Sequence, residues 1–495
     1  MTTPPVTVPA PAKPLLDSLF GELWPDRATP GRPQLVGAAA AVGVLAAVLV
    51  PYREHGLAMF LALAALLGVV AAADRQLRSP SHLAALGLCV LLTATLLVRD
   101  AFWIVALCLL AAFALGAAML AGGRSVPGLL ASAAAVPLAS LRGLPWLGRS
   151  LHPSSLNGKP VEAWWTLFRT AAVSLLLVAV FGALFASADA LFARWIGALL
   201  PDLGSEEVLV RGFVLAAFTG LTLAGVYVAT CPPQVERLAL PAGKPVSRPF
   251  EWAVPVGLVV AVFAVFVVAQ LTVMFGGHDY LRRTTGLTYA EYVHQGFGQL
   301  TVATVLTLAV MAVARRKAAL STPRDRAMLR AMLGALCLLT LVVVASALYR
   351  MHVYEEAYGF TRLRVLVSVF EAWLGLVIVL VMASGIRLRG GWVPVASLVT
   401  GAVMLLGLAM VNPDAYIAER NIERFEQTGR IDWYYLSGLS ADAVPVLADL
   451  PEEHRGCILQ DGQPSDDDWL EWNLGRIRAG DAVPDASAGC VATVR

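Results

Sequence analysis

Residues 349–364, YRMHVYEEAYGFTRLR, set three arginines, two glutamates, a histidine and three tyrosines between two long apolar runs. Seven residues after Arg364 comes Glu371, inside RLRVLVSVFEAWLG. On a helix that spacing is two turns, about 10 Å deeper on nearly the same face. An ionisable group that far into hydrocarbon is costly, and marks a path, an ion pair or a relay. Arg350, Arg362 and Arg364 are the expected partners of Glu371. Guanidinium forks engage carboxylates at two points. The chemistry on offer is therefore either a structural ion pair that pins two helix ends, or the holding of an anionic or zwitterionic group.

Similar residues recur elsewhere. ASADALF (186–192) places Asp189 at the end of an apolar run, where it can meet water or cap a helix. GGHDYLRRTTGLTYAEYVHQGFGQL (276–300) offers Tyr289, Glu291 and Tyr292 to a membrane rim, and its Gly276–Gly277 pair permits a tight turn. Tyrosines at such a position are also ordinary interfacial belt residues. The third stretch adds Tyr354, Glu355 and Tyr358 to its arginines, and the tail adds Asn421, Arg424, Asp432 and Tyr435. Gln270, within VFVVAQLTVMF, reads as a hydrogen-bonding contact between helices.

These residues need elements to hold them, and the composition says which. The chain is 495 residues long, 58% hydrophobic and 15% charged, with a mean hydropathy of +0.70. Repeated apolar runs of this kind belong to an all-α, polytopic transmembrane helical bundle. Spans are expected near 35–51, 57–73, 82–98, 101–121, 167–190, 207–230, 252–275, 296–314, 327–347, 363–385 and 392–411. That makes about eleven, with eleven to thirteen admissible, because the alanine-rich segment 125–141 can span, re-enter or lie in the interface. Residues 1–33 carry eight prolines and read as a disordered cytoplasmic arm, 34–411 as the transmembrane domain, and 412–495 as a small helical cap.

Charge sets the expected sidedness. ARRKAALSTPRDRAMLR (314–330) is the densest basic loop, and lysine and arginine in short loops stay cytoplasmic. Counting outward from it, with 125–141 not crossing, places the N-terminus inside. The loops 191–206, 276–295 and 348–362 then lie outside with the tail. From Asn412 onward there are sixteen acids against seven arginines, a balance of −9, which leaves +11 for the preceding residues. Cys457 and Cys490, in that outer tail, either pair as a disulfide or remain two thiols. In the tail, Asn412–Pro413–Asp414 has the form of a helix start, and Thr428–Gly429 that of its end.

SADALF, TYAEYVHQGFGQL, YEEAYGFTRLR and TGRIDWYYLSGLSADAVPVL, in this order, resemble the bacterial membrane family catalogued as domain of unknown function 4173, or 4153-like. The resemblance covers about 160–450. It implies a multi-pass protein of the bacterial inner membrane and no particular reaction.

Several activities lose support from the residues. There is no phosphate-binding lysine loop, no GxSxG elbow, no HExxH and no CxxC or Cys/His zinc spacing, so no metal or other cofactor is expected. The expected partners are the lipid bilayer and either a lipid or an envelope protein, with no nucleic acid. Three functions compete: a non-enzymatic envelope scaffold or sensor, a transporter or lipid flippase with a Glu371/arginine path, and a membrane-embedded glycosyltransferase. The last wants acids in an early outer loop, and PYREHGL (51–57) offers only Glu54.

Overall fold

Inside hydrocarbon a backbone must pair its own N–H and C=O groups, and runs this apolar do so as helices. The computed structural model describes residues 20–151 except 22 and 26–28, 206–239, 246, 248–270, 298–451 except 319, 321 and 389, and 467–482. It also describes the backbone alone of 271–285 and 297, a few positions between 174 and 192, and 455. In chain order the helices are α1 (Pro33–Leu49), α2 (Leu57–Ala73), α3 (Pro80–Thr93) continued by α4 (Thr95–Val98), α5 (Phe102–Ala121), α6 (Val126–Arg142) and α7 (Leu144–Ser150). There follow α8 (Glu206–Thr230), α9 (Phe250–Thr285), α10 (Phe297–Lys317), α11 (Pro323–Tyr358), α12 (Arg362–Arg387) and α13 (Val393–Val411). The C-terminal helices are α14 (Pro413–Thr428), α15 (Trp433–Ser437), α16 (Val444–Leu447) and α17 (Leu474–Ala482). No strand occurs among the described residues.

Eight of these are long and apolar enough to cross a bilayer: α3–α4, α5 and α8 to α13. The α6–α7 pair, bent by 52°, makes a ninth if taken as one span. The two N-terminal apolar helices, α1 and α2, have 17 residues each. Three of the eleven expected spans are not among the eight: α1 and α2 are short for a crossing, and 167–190 falls largely outside the described residues. This is an integral membrane protein.

Two expected loops are helix instead. Residues 349–358 are the last turns of α11, and only Gly359, Phe360 and Thr361 separate α11 from α12. At 36 residues α11 is about 54 Å long, well over the ~30 Å of a hydrocarbon core, so its polar end projects beyond the apolar layer. It begins on a reciprocal cap: Thr322 Oγ1 accepts from the Asp325 amide, and Asp325 Oδ2 accepts from the Thr322 amide. Likewise α9 stays helical through Gly276–Gly277 as far as Thr285, where a tight turn was expected.

The chain divides into two compact units. The first draws on residues within 1–86, 117–122 and 130–237. Its core stacks Tyr227 against Trp24 and Trp146, with ring centroids 5.5 and 6.0 Å away. Trp24, from the proline-rich arm, is only 2% exposed; its indole donates to the Cys231 carbonyl, and its own carbonyl accepts from Arg142. The end of the arm is therefore packed, while residues 1–19 lie outside the described set. Asp189 and Glu54 belong to this unit.

The second unit takes 87–116, 123–129 and 238–495. Helices α9 to α12 interlock through small core patches, one of them built on Met311, Leu336, Cys337 and Ile378. The C-terminal helices close over Ala418, Leu436, Val444 and Leu447. Each large side chain buried there contributes about 1.5–3 kcal/mol.

Candidate functional site

The polar residues of the second unit converge where the α4–α5 turn, the α11–α12 turn and the C-terminal helices meet. Asp414 is the hub, fully buried at the start of α14. Arg362, at the start of α12, donates to it from Nε at 3.0 Å and from Nη2 at 2.5 Å. The Trp103 indole donates to Oδ1 at 3.0 Å and the Ser440 amide to Oδ2 at 2.9 Å. Burial works against the Asp414 carboxylate, but the bonds and charge of Arg362, then the Ser440 amide and the Trp103 indole, outweigh it. Its pKa is held below the usual carboxylate value.

A second carboxylate, Asp442, binds the α4–α5 turn. Its Oδ2 accepts from the amides of Asp100 and Ala101 at 2.7 and 2.8 Å, and Arg99 stands 3.8 Å from Oδ1. Here burial prevails over those amides and the Arg99 charge, and the pKa is raised. Arg99 itself donates to the last carbonyls of α13, at Ala409 and Met410. Asn473, wholly buried, donates to the Leu96 and Arg99 carbonyls at 2.9 Å each and accepts from the Gly475 amide. Arg476 bridges Asp467 at 2.6 Å and Asp100 at 3.0 Å.

The α11–α12 turn is clamped from the tail as well. Asn421 pairs with both backbone groups of Phe360, accepting at 3.0 Å and donating at 2.9 Å. Arg424 donates to the carbonyls of Glu356 and Ala357 at the end of α11, and to Arg430. A cation there also complements the helix dipole. The Tyr435 hydroxyl accepts from the Arg362 amide at 2.7 Å, and Asp432 caps the short helix that carries Tyr435.

Deeper in the bundle the chemistry changes. Glu371 is fully buried, and neither carboxylate oxygen has a hydrogen-bond partner. Thr301 of α10 is the polar side chain beside it. The arginines expected to pair with it are engaged elsewhere. Arg362 holds Asp414; Arg350 donates to Gln270 at 2.5 Å, which also accepts from Ser346. Arg364 lies over the Tyr354 ring, 4.5 Å from its centroid, and donates to the Tyr358 and Gly359 carbonyls. Glu355 is buried too, with Oε1 unbonded.

Against known proteins, one family model matches, described as "Domain of unknown function (DUF4153)", over residues 86–450. The chain belongs to the DUF4153 family. No curated protein and no solved structure matches it. The DUF4153 match starts at 86, well before the 160 where the sequence resemblance began, and it takes in the Arg99–Trp103 turn. The name 4173 is not the one supported.

Of the sequence candidates, Tyr354, Tyr358, Arg362, Arg364, Asn421, Arg424, Asp432 and Tyr435 gather around the α11–α12 turn of the DUF4153 domain. Arg350, Glu355 and Glu371 sit along the adjoining helices, and Asp189 lies in the first unit. Tyr289, Glu291, Tyr292, Cys457 and Cys490 lie outside the described residues. The residues that sequence reasoning passed over are Arg99, Asp100, Trp103, Asp442, Asn473 and Arg476. In the sequence Asp414 reads only as part of a helix start. The available signal was the Arg99–Asp100 pair, two opposite charges alone between two apolar runs.

Proposed function

We propose that this DUF4153 protein is a non-enzymatic scaffold or sensor of the bacterial inner membrane. Its C-terminal helices form a rigid cap on the outer face and present a fixed surface to an envelope partner. The observation that carries the reading is Asp414. One buried carboxylate ties together α12, α14, the start of α5 and the Ser440 turn, with each contact a satisfied hydrogen bond. A ligand pocket keeps charged groups ready for an incoming molecule; here the arginines of the turn are spent on the protein's own carboxylates and carbonyls.

A second reading has a specific observation in its favour. The bare Glu371 carboxyl, buried among helices, suits a proton-bearing group in a transporter or flippase. The two readings part in cells that carry single variants in place of the wild-type gene. The scaffold reading expects a deletion to cause an envelope defect and Asp414→Ala to reproduce it, while Glu371→Gln, folded and present at normal level, behaves as wild type. If Glu371→Gln reproduces the defect and Asp414→Ala does not, transport is favoured and the scaffold reading falls.

A further inference from the structure

Arg364, Ser368, Glu371 and Gly375 follow one another along α12 at intervals of four, three and four, so they share one face of the helix. That face meets α11. Ser368 stands beside Glu355 of α11, and a Cβ on Gly375 would lie 3.1 Å from Val344 of α11. Glu371 falls between these two contacts, three residues or about 4.5 Å deeper than Ser368. Helical side chains lean toward the N-terminus of their own helix. The two helices run in opposite directions, so Glu371 leans out toward the α11–α12 turn while Glu355 leans in from it. The two carboxyls converge across Ser368. Both are buried, at 0% and 6% exposure, and three of their four oxygens have no hydrogen-bond partner.

The helices packed against Glu371 bring few ionisable groups to it. On α11 these are Arg350, which donates to Gln270, and Glu355 itself. Helix α10 offers Thr301 and keeps its cations at its far end, α13 has no ionisable residue, and Asp414 of α14 is bound to Arg362. His352 and Arg364 stand by Glu355, nearer the turn. Deeper than Gly375 the packing is apolar, built on Met311, Leu336, Cys337 and Ile378. A cavity of about 1120 Å³ on that side reaches α12 at Trp373, Leu374 and Val377, and Glu371 is not among its lining residues. A carboxyl cut off from donors in hydrocarbon favours its neutral form, and the proton of that form needs a way in and out.

We infer that Glu355 and Ser368 form a one-sided proton path between Glu371 and the water at the α11–α12 turn. Glu355 takes a proton from hydronium and leaves water. Its O–H then donates to Ser368 Oγ, while the Ser368 hydroxyl passes its own proton to the Glu371 carboxylate. Glu355 ends ionised and Glu371 neutral, with one proton moved, and the reverse sequence returns it. On the orientation argued from the basic loops, the path opens to the outer face. The inference rests on the second functional reading, in which Glu371 bears a proton, and adds the route and the side it opens to.

The test uses the full chain in nanodiscs, with the carboxyl C=O stretch followed by infrared spectroscopy as ordinary water is replaced by heavy water. Subtracting the Glu371→Gln spectrum isolates the Glu371 band, which deuteration shifts. Wild type is expected to show a protonated Glu371 at neutral pH that exchanges promptly. Glu355→Gln keeps the shape of the side chain but cannot release a carboxyl proton. It should slow the exchange about tenfold, and Ser368→Ala should do the same, each with its helix content intact by circular dichroism. Thr301→Val should leave the rate unchanged. Absence of a Glu371 band refutes the second reading and the path together. A band that exchanges as fast in Glu355→Gln and Ser368→Ala as in wild type overturns the path alone, and so does slowing confined to Thr301→Val.

Discussion

At the scale of single residues, Asp414 and Asp442 are two carboxylates a short distance apart in fold and opposite in behaviour. Asp414 accepts four hydrogen bonds, two from a guanidinium, so its charged form is the stable one in the folded chain. Asp442 has two amides on one oxygen and only a 3.8 Å arginine near the other, so burial favours its protonated form. The signs follow from linkage. The depressed pKa of Asp414 stabilises the fold above the unfolded value near 4, and that contribution is lost as pH falls through the folded value. The raised pKa of Asp442 stabilises the fold as pH falls through its folded value, and that contribution is lost as pH rises again. Stability of the C-terminal helices should therefore peak at mildly acidic pH and collapse below about pH 4. Asp442→Asn should flatten the rise between neutral and mildly acidic pH and leave the acid collapse in place. Thermal melts across pH, followed by tryptophan fluorescence, check this; a melting profile identical to wild type would refute it. Asp414→Asn should cost about 2–3 kcal/mol. That is less than a fully buried pair, because the Arg362 side chain is 34% exposed.

Between elements, the decisive feature is the three-residue turn from α11 to α12. Gly359 has φ +86°, a conformation that other residues adopt only at a cost, and a Cβ there would lie 2.6 Å from Asn421 Oδ1. Gly359→Ala thus meets both backbone strain and the side chain that satisfies Phe360. Gly429, which ends α14, has φ +70° but open space around it. Gly359→Ala should cost roughly 1–3 kcal/mol more than Gly429→Ala, which pays for strain alone. Equal losses for the two variants, measured by denaturation in detergent, would show that Asn421 does not clamp the turn. The same elements show what the sequence discloses. Asn412, Pro413 and Gly429 announced α14 almost to the residue, because caps are local chemistry. The fate of the arginines was not legible. Nearness along the chain suggested Glu371, but Arg362 finds Asp414 fifty-two residues away, and Arg99 reaches carbonyls more than three hundred residues on. Polarity at 349–358 reads as a loop only if a helix ends where its apolar run ends; α11 simply continues past the apolar layer.

For the molecule as a whole, the structure gathers the α4–α5 turn, the α11–α12 turn and the C-terminal helices at one end of the second unit, while the Arg315–Arg330 turn lies where α10 ends and α11 begins. A 36-residue helix separates Thr322 from Gly359, so these two sets of groups are about 54 Å apart along α11. A helix of that length and hydropathy is able to cross the bilayer, and a crossing α11 holds the two sets on opposite sides. The arginine density around 315–330 argues that its side is the cytoplasm. Two exposed positions report the answer directly: Tyr434, 91% exposed on α15, and Arg324, in the first turn of α11. In a background with Cys457 and Cys490 changed to serine, the remaining cysteines are buried. Tyr434→Cys should then react with a membrane-impermeant maleimide in intact spheroplasts, and Arg324→Cys only after the membrane is opened. Labelling in the reverse order would put the cap in the cytoplasm and end the outer-face scaffold. Labelling of both positions before opening would deny that α11 crosses at all.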